Sequence, residues 1–263
     1  MNVNTIITGD SAEVLKTFDA ESIDLTVTSP PYDNLRDYEG FVLDYQAIIE
    51  QLYRVTKVGG VVVWVVGDAV IDGSESGTSF RQALYFQQCG FNIHDTMIYE
   101  KNGSALPDNT RYLQCFEYMF VFSKGRPSTI NFLEDRKNRY TERWGKGQTV
   151  REKDGSMTER AHRIGKELGR RFNIWRINNG YGYSASDDMA YDHPAIFPEA
   201  LARDHILSWS NVGDLVLDPF CGSGTTCKMA KMNSRNYIGI EISPEYVSLA
   251  EKRILATSVP LFV

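Results

Sequence analysis

The chain has 263 residues, 42% of them hydrophobic and 12% aromatic, enough to bury the core of one large α/β domain or two small ones. Its net charge is −6, no apolar run reaches the roughly 18 residues needed to cross a bilayer, and Met1-Asn2-Val3-Asn4-Thr5 lacks the basic and apolar regions of a secretory signal. Cys89, Cys115, Cys221 and Cys227 form no CxxC pair, so the composition predicts reduced thiols in a cytoplasmic protein, with neither a disulfide framework nor a metal site.

Strands and helices alternate from the start. Residues 3–8 and 23–28 read as strands, the second apolar and β-branched. Residues 44–57 read as a helix with Tyr45, Ile48, Ile49, Leu52 and Val55 on one face and Gly59-Gly60 as its stop. Strands follow at 61–66, 96–99 and 118–122. Residues 124–190 are polar, basic and Gly-rich with weak periodicity, and read as an inserted lobe of irregular structure. The α/β pattern then returns: a helix at 198–207, a strand at 215–217, a helix at 225–232 and a strand at 237–241. Ser243 caps a final helix, with Pro244 at its first position and Val247, Ala250 and Ile254 facing inward. The alternation predicts an α/β fold, a doubly wound and mostly parallel sheet with helices on both faces. Charge is unevenly spread. Residues 124–171 hold 14 Lys/Arg against 7 Asp/Glu, a net of +7 on a chain whose total is −6. A basic segment on an acidic body is the footprint expected of phosphate contacts.

Two stretches carry chemistry. Ser29-Pro30-Pro31-Tyr32 follows the strand at 23–28. Its prolines fix φ and offer no N–H, so carbonyls there project in a rigid array beside a hydroxyl and a flat aromatic. That suits a planar ring with an exocyclic amino group, stacked on Tyr32, its amino hydrogens accepted by Ser29 and a carbonyl. The second stretch runs from Leu215 through Asp218-Pro219-Phe220-Cys221-Gly222-Ser223-Gly224 to Thr225-Thr226, a buried strand, a tight loop and a helix start. Glu241 ends the next strand 19 residues after Gly222, placed to bind ribose hydroxyls. A dinucleotide-dependent oxidoreductase also uses this geometry. Against it, Cys227 stands where a third glycine belongs, and Asp218 suits a cation, a sulfonium or an ammonium, better than a pyrophosphate.

In this order along the chain, the two stretches resemble the β class of S-adenosylmethionine-dependent DNA amino-methyltransferases, of Rossmann-like methyltransferase fold. Thr8-Gly9-Asp10-Ser11 with Val14-Leu15 is similar to the family's N-terminal cofactor segment, and Thr28 through Tyr32 to its catalytic motif. Phe116 through Lys124 resembles the strand before the target-recognition region, Asn173-Ile174-Trp175-Arg176-Ile177 its exit, and His193-Pro194-Ala195-Ile196-Phe197-Pro198 the motif on the cofactor's methionine side. The resemblance implies a catalytic domain over 1–123 and 173–263 and an inserted basic target-recognition region over 124–172. It implies Ser29, Pro30, Pro31 and Tyr32 as catalytic residues. It implies Asp10, Ser11, His193, Pro194, Phe197, Asp218, Phe220, Gly222, Ser223, Gly224, Thr225 and Glu241 as cofactor contacts. Arg139, Arg143, Lys146, Arg163, Arg170 and Arg171 are the expected contacts to double-stranded DNA. Within the family Ser-Pro-Pro-Tyr tends to accompany cytosine N4 methylation and Asp-Pro-Pro-Tyr adenine N6 methylation, so cytosine N4 is the expected target and adenine N6 the alternative. Cytosine C5 chemistry needs a cysteine nucleophile, usually in a Pro-Cys pair, and the sequence has none. A DNA-binding protein without catalysis on the same scaffold, and RNA or a protein amide as acceptor, stay open. The family context implies a prokaryotic or phage origin, and leaves a cognate restriction endonuclease and a homodimer as further partners.

Overall fold

The computed structural model describes residues 2–31, 43–103, 110–139, 143–144, 149–159 and 163–258. They fall into two compact units, one formed by 1–131 with 173–263 and one by 132–172. In the larger unit the elements run β1 (Thr5–Thr8), α1 (Ser11–Lys16), β2 (Ile23–Thr28), α2 (Tyr45–Val55), β3 (Thr56–Val66), α3 (Thr78–Gln88), β4 (Asn92–Glu100), β5 (Phe116–Ser123), β6 (Ile174–Arg176), α4 (Glu199–Trp209), β7 (Leu215–Asp218), α5 (Thr225–Met232), β8 (Asn236–Glu241) and α6 (Pro244–Ala256).

The eight strands form one sheet in the order β1-β8-β7-β2-β3-β5-β4-β6. Pairs from β1 through β3 are parallel, β5 runs antiparallel to both β3 and β4, and β6 is parallel to β4. The central strands are near-continuous apolar runs because both faces are covered. Val62, Trp64 and Val66, with Phe120, Phe122, Leu215, Leu217, Ile238 and Ile240, face a core shared with Leu15, Ile48, Ile49, Leu52 and Phe86 of α1, α2 and α3. The other face packs against α4, α5 and α6. Among the described residues no helix is long and apolar enough to cross a membrane.

Two expectations change in detail. Gly59-Gly60 does not stop α2. The helix ends at Val55, where Thr56 turns extended and its hydroxyl caps the Leu52 carbonyl at 2.6 Å. The glycines lie inside β3, where the pairing with β2 shifts register. A Cβ on Gly60 would stand 2.7 Å from Thr56 Cγ2 and 3.0 Å from the Asp24 carbonyl, so the bulge needs a residue without a side chain. The second change is in the basic segment. The described residues of 132–172 are not irregular: Arg136–Lys137 pairs with Leu168–Gly169, Arg143–Trp144 with Arg163–Ile164, and Thr149–Arg151 with Met157–Glu159, all antiparallel. The pairs are nested in sequence about a turn at 152–156, the order of a hairpin arm. Strands of two or three residues are too short for a period of two to show in the sequence.

Candidate active site

Four strand ends share one edge of the sheet. Thr8 pairs with Glu241, Gly239 with Asp218 and Leu217 with Thr26, so the C-terminal ends of β1, β8, β7 and β2 open onto one crevice. From there the chain winds outward in both directions, β7 through α5 to β8 and β2 through α2 to β3. That is the switch point where open α/β sheets take ligands.

The loop after β7 is built for close approach. Gly222 (φ +49°) and Gly224 (φ +79°) are left-handed. A Cβ on Gly222 would stand 3.0 Å from His193 Nε2, and one on Gly224 would stand 2.8 Å from Ala250 Cβ. The His193 ring therefore lies against the loop, and α6 packs beside it. The Glu241 carboxylate accepts the Gly222 N–H at 2.9 Å and the Ser243 N–H at 3.0 Å. The Gly224 N–H donates to the Cys221 carbonyl at 2.7 Å, and the Ser11 hydroxyl to the Pro219 carbonyl. His193 is buried, its ring edge-on to Tyr246 at 4.3 Å and its Nδ1 3.1 Å from the Ala195 nitrogen. Pro194 is exposed and Phe197 half-buried on the same segment, and Phe220 meets Trp64 edge-on at 6.0 Å.

Asp218 joins the two halves of the crevice. The Thr28 hydroxyl donates to its Oδ1 at 2.6 Å and the Phe220 N–H at 3.1 Å, while the Thr226 hydroxyl reaches the Val27 carbonyl at 3.2 Å. Burial pushes the Asp218 carboxyl up; hydrogen bonds from Thr28, Phe220 and Thr226 pull it back, the Glu241 charge pushes it up again, and the balance is about 6. A cation nearby would restore the carboxylate. Beyond Thr28, Ser29 and Pro31 are half-buried and Pro30 is buried. Tyr32, and the acidic Asp33 and Asp37 that follow it, lie outside the described residues.

The structure thus brings Ser29, Pro30, Pro31, Ser11, His193, Asp218, Phe220, Gly222, Ser223, Gly224, Thr225 and Glu241 to one region. Asp10 stands beside them with its carboxylate turned to the Glu13 N–H at 3.1 Å, capping α1. The basic candidates belong to the arm. There Arg170 stacks on Phe132, 3.8 Å from the ring centroid, and Arg171 is held by both oxygens of Asp135. Arg139 is exposed, Arg143 and Arg163 lie in paired strands, and Lys146 is outside the described residues. Thr28 was legible only as the first residue of the catalytic motif, and Tyr246, Asp187, Glu199, Lys228 and Arg253 had no role from the sequence. The signal for the last two was a cation on a helix face otherwise facing inward.

A DNA methylase family model matches residues 23–252. The orphan methyltransferase M.BamHII of Bacillus amyloliquefaciens is 60% identical over 240 residues, 89% of this chain and 89% of that one. The PvuII DNA methyltransferase (cytosine-N4-specific) superposes with a TM-score of 0.69 at 23% identity, covering 97% of this chain and 87% of the other. M1.HpyAVI, solved as its SAM complex, superposes with a TM-score of 0.62 at 20% identity, covering 95% and 97%. At such identities the two structures speak to the fold, which is the Rossmann-like methyltransferase fold.

Proposed function

The chain belongs to the DNA methylase family of N6- and N4-acting enzymes, and from that premise we propose that it moves a methyl group from S-adenosylmethionine to the exocyclic amino nitrogen of a base flipped out of duplex DNA, with cytosine N4 as the target atom. The observation that carries the reading is the Thr28–Asp218 hydrogen bond at 2.6 Å. It ties the end of β2 to the end of β7, so Ser29-Pro30-Pro31 and the glycine loop lie on neighbouring strands of one crevice.

The residues present fit that methyl donor. Gly222 and Gly224 keep side chains off the loop, Glu241 retains acceptor capacity for ribose hydroxyls, and buried Asp218 favours a cation. Asp10 and Ser11 sit at the adenine side of this reading, His193, Pro194 and Phe197 at the methionine side. S-adenosylmethionine, when bound, supplies an electrophilic methyl group on a sulfonium. The chain's own groups prepare the acceptor. A base amino nitrogen is a poor nucleophile because its lone pair is delocalised into the ring. Ser29 Oγ and the Pro30 carbonyl accept its hydrogens, which favours a tetrahedral nitrogen and frees the lone pair. Fixing two reactants in line removes much of the entropy cost, and the two acceptors stabilise positive charge developing on nitrogen. Extruding a base costs a few kcal/mol, and stacking on Tyr32 offsets part of it.

Two observations support cytosine N4. Ser29 is a weaker acceptor than the aspartate that tends to accompany adenine chemistry, and the PvuII enzyme of like fold is cytosine-N4-specific by name. Cys221, in the loop itself, does not serve as a C5 nucleophile: its thiol is pushed well above its ordinary value by its hydrogen bond with Cys227 and by burial, so it stays protonated. The arm is the proposed DNA reader, since a two-stranded ribbon fits a major groove. Arg139, Arg143, Lys146 and Arg163 contact phosphates in this reading, with Arg170 and Arg171 first having to leave Phe132 and Asp135. Single-molecule sequencing of DNA from cells expressing the protein tests the whole proposal. It predicts N4-methylcytosine at one short motif. Adenine marks alone sink the cytosine assignment, and a mark that survives Ser29→Ala unchanged sinks the catalytic one.

A further inference from the structure

Four charged residues of the larger unit, none of them given a role above, gather beside the glycine loop. Arg253 on α6 is 1% exposed and Lys228 on α5 is 5% exposed. Cations at that depth need partners. Lys228 Nζ donates to Asp187 Oδ2 and Glu199 Oε1, both at 2.6 Å, and to Ser186 Oγ at 3.0 Å. Arg253 Nε donates to Asp187 Oδ1 at 3.0 Å, and its Nη2 to Asp187 Oδ2 at 3.0 Å and Glu199 Oε1 at 3.2 Å. Two cations thus meet two carboxylates. The remaining nitrogen of Arg253 leads elsewhere: Nη1 donates to the Ser223 carbonyl at 2.6 Å, to Ser223 Oγ at 3.1 Å and to Thr225 Oγ1 at 3.2 Å.

Chain position gives these bonds their meaning. Asp187 comes six residues before His193 and Glu199 six after it, so both ends of the segment carrying His193, Pro194 and Phe197 are tied to α5 and α6. The same guanidinium fixes Ser223, between the two left-handed glycines, while Glu241 holds Gly222 from the other side. We propose that Arg253 and Lys228 are positioning residues for the methyl donor: they set the His193 segment at its fixed distance over the Gly222–Gly224 loop without touching the donor. This rests on the reading that the crevice binds S-adenosylmethionine. Stability alone is a poor reason to retain such a cluster, because apolar residues of like volume hold a fold as well or better. Geometry is a better one. All three nitrogens of the Arg253 fork are used, on two carboxylates and on the loop, and a lysine's single ammonium cannot reach both.

The test measures donor binding by the full chain without DNA, using calorimetry with S-adenosylmethionine and with S-adenosylhomocysteine, alongside thermal melts and steady-state kinetics. Arg253→Lys and Glu199→Gln are expected to fold, to bind both ligands about tenfold more weakly, and to raise the donor KM by a similar factor with kcat changed less than about threefold. Lys228→Arg is expected to keep affinity that Lys228→Met loses. Folded variants that bind both ligands like the wild type overturn the proposal. So does the failure of every one of these variants to fold, which assigns the cluster to the fold alone. A wild-type chain that binds neither ligand defeats the functional reading itself, a result that no comparison of variants can mimic.

Discussion

Arg253 and Arg171 are both arginines gripping an aspartate through more than one nitrogen, and they do different work. The Arg253 side chain is 0% exposed, with Asp187 and Glu199 packed about it in the larger unit. Arg171 is 26% exposed beside an Asp135 that is 51% exposed, on the arm. A charge in a dry setting cannot exchange its partner for water, so its bonds fix the positions of whatever they touch. A charge in the open can trade its carboxylate for another anion at little cost. One region uses ions as geometry, the other as an exchangeable stock suited to phosphates.

The sharpest way to break that contrast is Arg253→Met. It leaves Asp187 and Glu199 to share Lys228 alone, strips the buried Ser223 carbonyl of its donor, and is expected to cost about 3 kcal/mol in urea unfolding; a loss no larger than a surface substitution gives would contradict the assignment. Gly224→Ala comes next. Its Cβ meets Ala250 at 2.8 Å with φ at +79°, for an expected loss of about 2–3 kcal/mol and weakened donor binding. Titration separates two carboxyls of the crevice region. Burial pushes Asp187 up, but hydrogen bonds from Arg253 and Lys228 outweigh it and hold the carboxyl at about 2. Its stabilising effect is therefore complete above the ordinary value of 3.8 and is lost as the pH falls toward 2. Asp218 is the reverse: held up at about 6, it favours the folded state most below 3.8, and that advantage goes as the pH rises through 6. Urea midpoints from pH 2 to 7 should show Asp187→Asn flattening the acid limb and Asp218→Asn the limb between 4 and 6. In the proposed reading the Asp218 carboxylate faces the donor's sulfonium, so S-adenosylmethionine should lose affinity below pH 6 while uncharged-sulfur S-adenosylhomocysteine loses less. The smallest stability effect belongs to the arm. Lys166→Ala, which breaks a pair with Glu134 at 3.1 Å between exposed side chains, should change stability by less than about 0.5 kcal/mol. If Lys166 touches a phosphate, the salt dependence of DNA binding should fall by about one unit of slope.

The two regions also differed in how much the sequence revealed. The strands at 23–28, 215–217 and 237–241 were legible because burial on both faces favours short runs rich in apolar and β-branched residues, and the glycines after β7 mark a turn that side chains would block. The pairing of Thr28 with Asp218 was not legible, since two polar residues 190 apart carry no local sign of contact. In the cluster of Asp187, Glu199, Lys228 and Arg253 only the two cations left a trace, each on a helix face otherwise facing inward, and that the four meet was hidden for the same reason. α1 and α3 escaped notice because six residues, Ser11–Lys16, make too short a pattern and because α3 has no side-chain cap at its Gly77 start. The antiparallel β3-β5-β4 edge also had no signature, for alternation of strand and helix does not tell strand direction.

The most direct test of the central claim is methyl transfer from labelled S-adenosylmethionine to duplex DNA by the purified chain, followed by digestion to nucleosides. The account predicts label in N4-methylcytosine, abolished or sharply reduced by Ser29→Ala in a variant that still binds the donor. Label in C5-methylcytosine, label in N6-methyladenine alone, or no transfer by a chain that binds both donor and DNA would contradict it.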